Sequence, residues 1–231
     1  MEDYGRKVKK SRYVLAGILT AMIFVVGLMV GLVIEGKRVQ FIDRYSEELK
    51  LDIGSLQLQY AFTDQLAQVG NCAAFTKSFD RNIERLEATR LKLVGYSADA
   101  TINRHDFDLL RRNYVLSQVE YWLLSIKTKR LCDTDIVNVL YFFSKDCDKC
   151  DDQSFLLSFM KQKFRERLFV FGFDASFEEE PLLRLITATY NVTAYPTVII
   201  EGRSYADFMP RENLTETLCS FYKSKPEECG K

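Results

Sequence analysis

The sequence predicts an α/β domain, a mixed central sheet flanked by helices, preceded by one transmembrane helix and an α-helical stalk. Three observations carry this reading. Tyr13 to Ile34 is apolar apart from Thr20 and the glycines. Residues 36–131 then show apolar stripes at helical spacing. From Ile136 onward, short apolar runs of strand-forming residues alternate with helical patterns, the order that builds an α/β sheet. Cys147-Asp148-Lys149-Cys150 stands where the first of those strands gives way to a helix.

Composition narrows the function before any element is placed. The chain has 231 residues and no formal net charge. No basic cluster interleaved with aromatics follows the N-terminus, which argues against a nucleic-acid partner. The 6 cysteines form an even set, and an oxidising compartment admits structural pairs beside a CxxC motif. The single histidine, His105, leaves little material for histidine zinc sites or Cys–His nucleophile pairs. A zinc site takes about four ligands, and the sequence has no second CxxC and no CxxH, so no metal is expected. No other cofactor is expected either.

The N-terminal apolar run, residues 13–34, has about the 20 residues that a bilayer core requires. Arg6, Lys7, Lys9, Lys10 and Arg12 precede it, whereas Glu35, Lys37 and Arg38 follow. The positive-inside bias puts residues 1–12 in the cytoplasm and residues 36–231 outside, a single-pass protein of the cell membrane. A cleavable signal would have an apolar core of about 7–15 residues and a small-x-small site. This run is longer, and Gly31 to Glu35 offers no such site, so an uncleaved signal-anchor is favoured. Gly27-x-x-x-Gly31 matches a small-residue packing pattern and offers one route to a homodimer.

In the stalk, residues 36–131, Val39, Ile42, Leu49, Ile53, Leu56, Tyr60 and Ala67 follow a three-four spacing, with Ser46 and Thr63 completing the seam. Gly54 interrupts it. Such a stripe serves either a coiled coil pairing two chains or a helix packing within its own chain. The second use is favoured because partner helices follow. Residues 73–94 carry Phe75, Phe79, Ile83 and Leu86 on one face. Residues 106–130, capped by Asp106, carry Leu110, Tyr114, Tyr121 and Leu124 on one stripe. Val115, Val119, Trp122 and Ile126 form a second stripe beside it, the pattern of a helix covered on two sides. Residues 95–104 read as a loop, with His105 at its edge as a solvated or capping residue. An antiparallel hairpin of these helices sets Cys72 beside Cys132, a candidate disulfide.

Asp133-Thr134-Asp135 reads as a linker, and the last domain, residues 135–224, follows. Ile136 to Phe143 is a near-continuous apolar run, the mark of a strand covered on both faces. The helix after Cys150 takes its apolar face from Phe155, Leu156, Phe159, Met160 and Phe164. A strand at 168–173 and a helix at 178–190 come next, with Pro181 in the first helical turn. A strand at 198–200, a hairpin turn at Glu201-Gly202, an edge strand at 204–208 and a helix at 210–223 complete the domain. In the helix and the tail, residues 225–231, Cys219 and Cys229 either close a small loop or leave Cys229 free. Asn191-Val192-Thr193 and Asn213-Leu214-Thr215 match the N-glycosylation acceptor pattern.

Ala194-Tyr195-Pro196-Thr197 leads into the third strand, about fifty residues after the CxxC motif. With it, residues 135–224 resemble the thioredoxin superfamily. Tyr195-Pro196-Thr197 is similar to the catalytic domains of protein disulfide isomerases, and Phe142-Phe143-Ser144 to periplasmic thiol oxidases. The resemblance implies that Cys147 attacks, Cys150 resolves, and Pro196 is a cis proline beside them. It also implies that the Tyr195 backbone pairs with an extended substrate. The chemistry agrees independently. A helix N-terminus favours the Cys147 thiolate, and Cys150 lies close enough to release a mixed disulfide.

Two departures from the family pattern stand out. A carboxylate common six residues before the first cysteine is replaced by Tyr141, which is no base at neutral pH. Asp146, Asp148, Asp151 and Asp152 outnumber Lys145 and Lys149 around the motif, and negative neighbours oppose a thiolate. Cys147 should therefore be less acidic than in a strong thiol oxidase. Alkylation rates against pH should give it a pKa above about 5, the lower range known for such motifs.

The expected function is a membrane-anchored, extracytoplasmic thiol–disulfide oxidoreductase. Its partners would be cysteine-containing secreted or membrane proteins and a membrane redox partner that resets the pair. The alternatives are a redox-inactive thioredoxin-like scaffold assembled through its stalk, and an electron-relay subunit dedicated to one enzyme.

Overall fold

The computed structural model describes residues 13–32, scattered positions between 47 and 95, and residues 104–230 except 178. It divides into two compact units, Met1–Glu48 and Leu49–Lys231. In the first, helix α1 (Tyr13–Leu32) is long and apolar enough to cross a membrane by length and composition. Its 20 residues span about 30 Å at the rise of an α-helix. The Thr20 hydroxyl donates to the Ala16 carbonyl at 2.9 Å, so this polar group is satisfied within the helix. Val33 and Ile34, at the end of the expected span, lie outside the described residues.

The second unit runs α2 (Arg104–Cys132), β1 (Val137–Phe143), α3 (Cys150–Phe164), β2 (Leu168–Asp174), α4 (Pro181–Thr189), β3 (Thr197–Ile200), β4 (Arg203–Ala206) and α5 (Arg211–Ser220). The sheet order is β2-β1-β3-β4. β1 pairs parallel with β2 and antiparallel with β3, and β4 is antiparallel to β3. Alternation along β1 divides the core. Val137, Val139 and Tyr141 pack with Leu157, Met160 and Phe164 of α3 and Leu214 and Leu218 of α5. Ile136, Leu140 and Phe142 pack with Val115, Val119, Tyr121 and Leu124 of α2 and Leu183 and Ile186 of α4. The central strand is buried on both faces, which is why its sequence shows no polar alternation.

The α2 helix is part of this core. The sequence-based boundary at 131–135 falls between α2 and β1, yet the two elements share one apolar cluster. Polar ties run along its length. Arg111 and Arg112 pair with Asp174 at 2.5 Å and Glu180 at 2.6 Å. Gln118 exchanges two hydrogen bonds with the Gly172 backbone, each 3.0 Å. Ser125 donates to Asn138 Oδ1 at 2.6 Å, and Lys129 pairs with Glu201 at 2.9 Å. One apolar stripe of α2 covers the sheet. Ile83 and Leu86, helical and partly buried, pack against the same cluster.

Several sequence-based expectations need correction. α2 starts at Arg104, so Asp106 lies inside its first turn and is not the N-cap. No Gly or Pro stops the helix at 104–105. His105 is likewise helical rather than at a loop edge. Phe155 is 72% exposed and Phe159 38% exposed, so the buried face of α3 is Cys150, Gln153, Leu157, Met160 and Phe164. Phe155 is two residues from Gln153, hence on the far side of the helix. β4 ends at Ala206 because Asp207 turns to a positive φ of 74°. α4 starts at Pro181 because Glu180, buried and non-helical, caps it by accepting from Leu182 N–H at 3.1 Å. The hairpin turn Glu201-Gly202 has φ of 49° and 84°, as a two-residue turn between twisted strands requires.

The heptad-like stripe from Val39 to Ala67 lies outside the described residues, as do Phe75 and Phe79. A disulfide joins Cys72 to Cys132 across a sequence separation of 60, and another joins Cys219 to Cys229 across 10. The first crosslink constrains a long loop of the unfolded chain. Its removal as Cys72→Ser/Cys132→Ser should lower stability by about 2–4 kcal/mol. Guanidinium unfolding of the full chain under non-reducing conditions measures this. A loss under about 0.5 kcal/mol would show that the staple constrains little in the unfolded chain.

Candidate functional site

The site is assembled at the C-terminal end of β1 from three loops. The first carries the cysteines. β1 ends at Phe143, and α3 starts at Cys150, whose N–H donates to the Cys147 carbonyl at 3.2 Å. Cys147 and Cys150 are joined in a disulfide. Cys147 is partly exposed, whereas Cys150 is 4% exposed. The α3 N-cap, Lys149, makes no side-chain cap, so no side chain of that residue fills the first-turn amides.

Beneath Cys150 lies Tyr141. Its hydroxyl donates to the Cys150 carbonyl at 2.5 Å, and its ring stacks on Phe143 at 5.5 Å. Burial, then the negative charge of Asp151, pushes the phenol pKa upward. The buried group next to Cys150 is therefore a protonated donor, not a proton acceptor.

The second loop carries Tyr195 and Pro196. The β1–β3 register pairs Phe142 with Thr197, which brings Pro196 to the end of β1 where the cysteine loop begins. The Tyr195–Pro196 bond is cis. Pro196 is buried and Tyr195 is 38% exposed. Thr197 Oγ1 donates to the Ala194 carbonyl at 2.7 Å and closes the loop.

The third loop, 207–209, went unnoticed in the sequence. Lys149 Nζ pairs with Asp207 at 3.1 Å. The Phe208 N–H and then Lys149 hold the Asp207 carboxyl below its usual range. Gln153, fully buried, accepts from the Met209 N–H at 2.7 Å. Its polar side chain on the buried stripe of α3 was the available signal. Asp146, Asp148, Asp151 and Asp152 are all exposed, and none forms an ion pair among the described residues. No group of three or more His, Cys, Asp or Glu placed to hold a metal occurs among the described residues. Cys72, Cys132, Cys219 and Cys229 are not part of this site. Asn191 and Asn213 of the two acceptor patterns are exposed.

A CxxC pair at the N-terminus of the helix after the central strand, a cis proline at the same sheet end and this mixed strand order define a thioredoxin-like fold. Comparison with solved structures gives neighbours of that kind. Thioredoxin-2 of the malaria parasite, described as a component of its protein secretion machinery, is 24% identical, covering 36% of this chain and 81% of its own, with a TM-score of 0.31. The germline-specific thioredoxin Deadhead of Drosophila melanogaster is 21% identical, covering 44% of this chain and 92% of its own, with a TM-score of 0.33. A J-Trx1 fragment of ERdj5 is 14% identical, covering 63% of this chain and 91% of its own, with a TM-score of 0.31. No protein-family model and no curated protein matches the chain.

Proposed function

We propose that the protein is a membrane-anchored thiol–disulfide oxidoreductase whose Cys147/Cys150 pair works outside the membrane. The observation that carries this is the paired cysteines at the start of α3, one partly exposed and one buried. The exposed sulfur can meet a substrate, and the buried one can meet only its neighbour. In the reducing direction the Cys147 thiolate attacks a substrate disulfide, forms a mixed disulfide and expels one substrate thiolate. Cys150 then loses its proton and attacks Cys147 Sγ, expelling the second thiolate. Two electrons have passed to the substrate, and the Cys147–Cys150 disulfide remains. Run backward, the same steps oxidise a substrate dithiol.

Tyr195 and Pro196 form the substrate edge beside Cys147, with the Tyr195 backbone available to an extended chain. The substrates are cysteine-containing secreted or membrane proteins, and a membrane redox partner resets the pair. The helix Tyr13–Leu32 and the basic residues before it support the anchored, outward-facing placement. The test is insulin reduction, or refolding of a scrambled disulfide protein, by the full chain in a non-ionic detergent. Turnover supports the reading, and its absence with both substrates overturns it.

A further inference from the structure

The surface around Cys147 differs from the chain as a whole. The protein has no formal net charge, yet Asp146, Asp148, Asp151, Asp152 and Asp207 outnumber Lys145, Lys149 and Arg211 around the site. Lys149 is already paired with Asp207. The remaining four carboxylates are exposed and unpaired among the described residues. Beside them lies apolar surface. Phe155 follows Asp151 and Asp152 by one helical turn, on the outer side of α3. Phe159 follows one turn further, with the Arg211 guanidinium 4.9 Å from its ring centre. Phe155 lies about 7–8 Å along the helix from Cys150. Tyr195 adds a third partly exposed ring at the substrate edge.

We infer that this face selects polypeptides in which basic residues and an apolar side chain flank the reactive cysteine. The inference rests on the redox function proposed above and names the substrate class for it. Its physical basis is charge complementarity. A single exposed ion pair contributes little, but several carboxylates of one sign raise the encounter rate of a cationic chain. The same carboxylates oppose the Cys147 thiolate while the site is empty. A docked basic segment offsets them, so the nucleophile is strengthened in the complex. The apolar neighbour covers Phe155, which otherwise stays in water.

The test uses the full chain, reduced, in non-ionic detergent. Three peptides carry one cysteine linked by a disulfide to an aryl thiol whose release is followed by absorbance. They differ only in having Arg, Ser or Glu on both sides of the cysteine. The expected second-order rates fall in the order Arg, Ser, Glu, with a spread of about tenfold or more at low salt. At about 0.5 M salt the spread should shrink to within about threefold, because the screening length becomes short. The variant D146N/D148N/D151N/D152N should lose the spread while still reacting with the Ser peptide. Replacing a residue near the cysteine of that peptide by Leu should raise the rate, and Phe155→Ser should remove the gain. If the Ser peptide reacts and all three charges give rates within about twofold at low salt, the charge selection is wrong and the redox function stands. If Phe155→Ser keeps the Leu gain, the apolar contact is wrong. If no peptide reacts at all, the redox function fails and this inference with it.

Discussion

Cys147→Ser should lower disulfide exchange by the full chain about 10³-fold or more, because no other group takes over the attacking sulfur. Cys150→Ser should have a different outcome. That variant still attacks, but the mixed disulfide then has no internal thiol to release it. Cys150 is 4% exposed, so its natural partner is the neighbouring sulfur rather than an outside one. Non-reducing gels of the Cys150→Ser protein should show covalent adducts that disappear with reductant and in the Cys147→Ser/Cys150→Ser double variant. Adducts with many proteins identify a general catalyst, and adducts with one identify a dedicated relay. Equal exchange rates for Cys147→Ser and the unaltered chain would overturn the assignment of roles.

Tyr141 shapes the second half of that cycle. In the proposed cycle Cys150 loses a proton before it attacks, and the buried Tyr141 hydroxyl beneath it is already donating to the Cys150 carbonyl. Its upward-shifted pKa removes it as a base. The proton therefore leaves by another route, and release of the mixed disulfide should be the step most sensitive to added base.

The sheet and two of the three site loops are legible because their signals are local. Ile136 to Phe143 reads as a strand covered on both faces from its apolar run alone, and CxxC with x-Pro-Thr follows it at a recognisable distance. Apart from the Cys72–Cys132 pairing, longer-range features were not legible. α2 has two apolar stripes, and a sequence does not say which neighbour each stripe meets. Its bonds to Gly172, Asn138 and Asp174 set one stripe against the sheet, a placement the stripe itself does not encode. Phe155 and Phe159 were placed inward because burial is the usual fate of a phenylalanine. The helical period overrides that prior, since the stripe through Cys150, Gln153, Leu157, Met160 and Phe164 is already complete. A polar residue held the true register, and two aromatics concealed it.

Phe142→Ala should be the most destabilising single change in the core, by about 3–5 kcal/mol. The side chain is 0% exposed, stacks on Phe173 at 5.5 Å and lies on the central strand. Its neighbours in the sheet are Phe173 on one side and Thr197 on the other, so the cavity would open between two strands. A typical domain is stable by only about 5–15 kcal/mol, so the loss is a large fraction of the whole. Phe142→Leu keeps most of the volume and should cost less than half as much. The single tryptophan, Trp122, packs against the same cluster and reports on it during guanidinium unfolding. A second consequence separates stability from function. Thr197 follows Pro196 directly, so a slack strand beneath it would loosen the proposed substrate edge. Exchange activity should then fall further than the folded fraction measured by Trp122 fluorescence. Activity that tracks the folded fraction alone would show that Phe142 supports the sheet without positioning the proline loop.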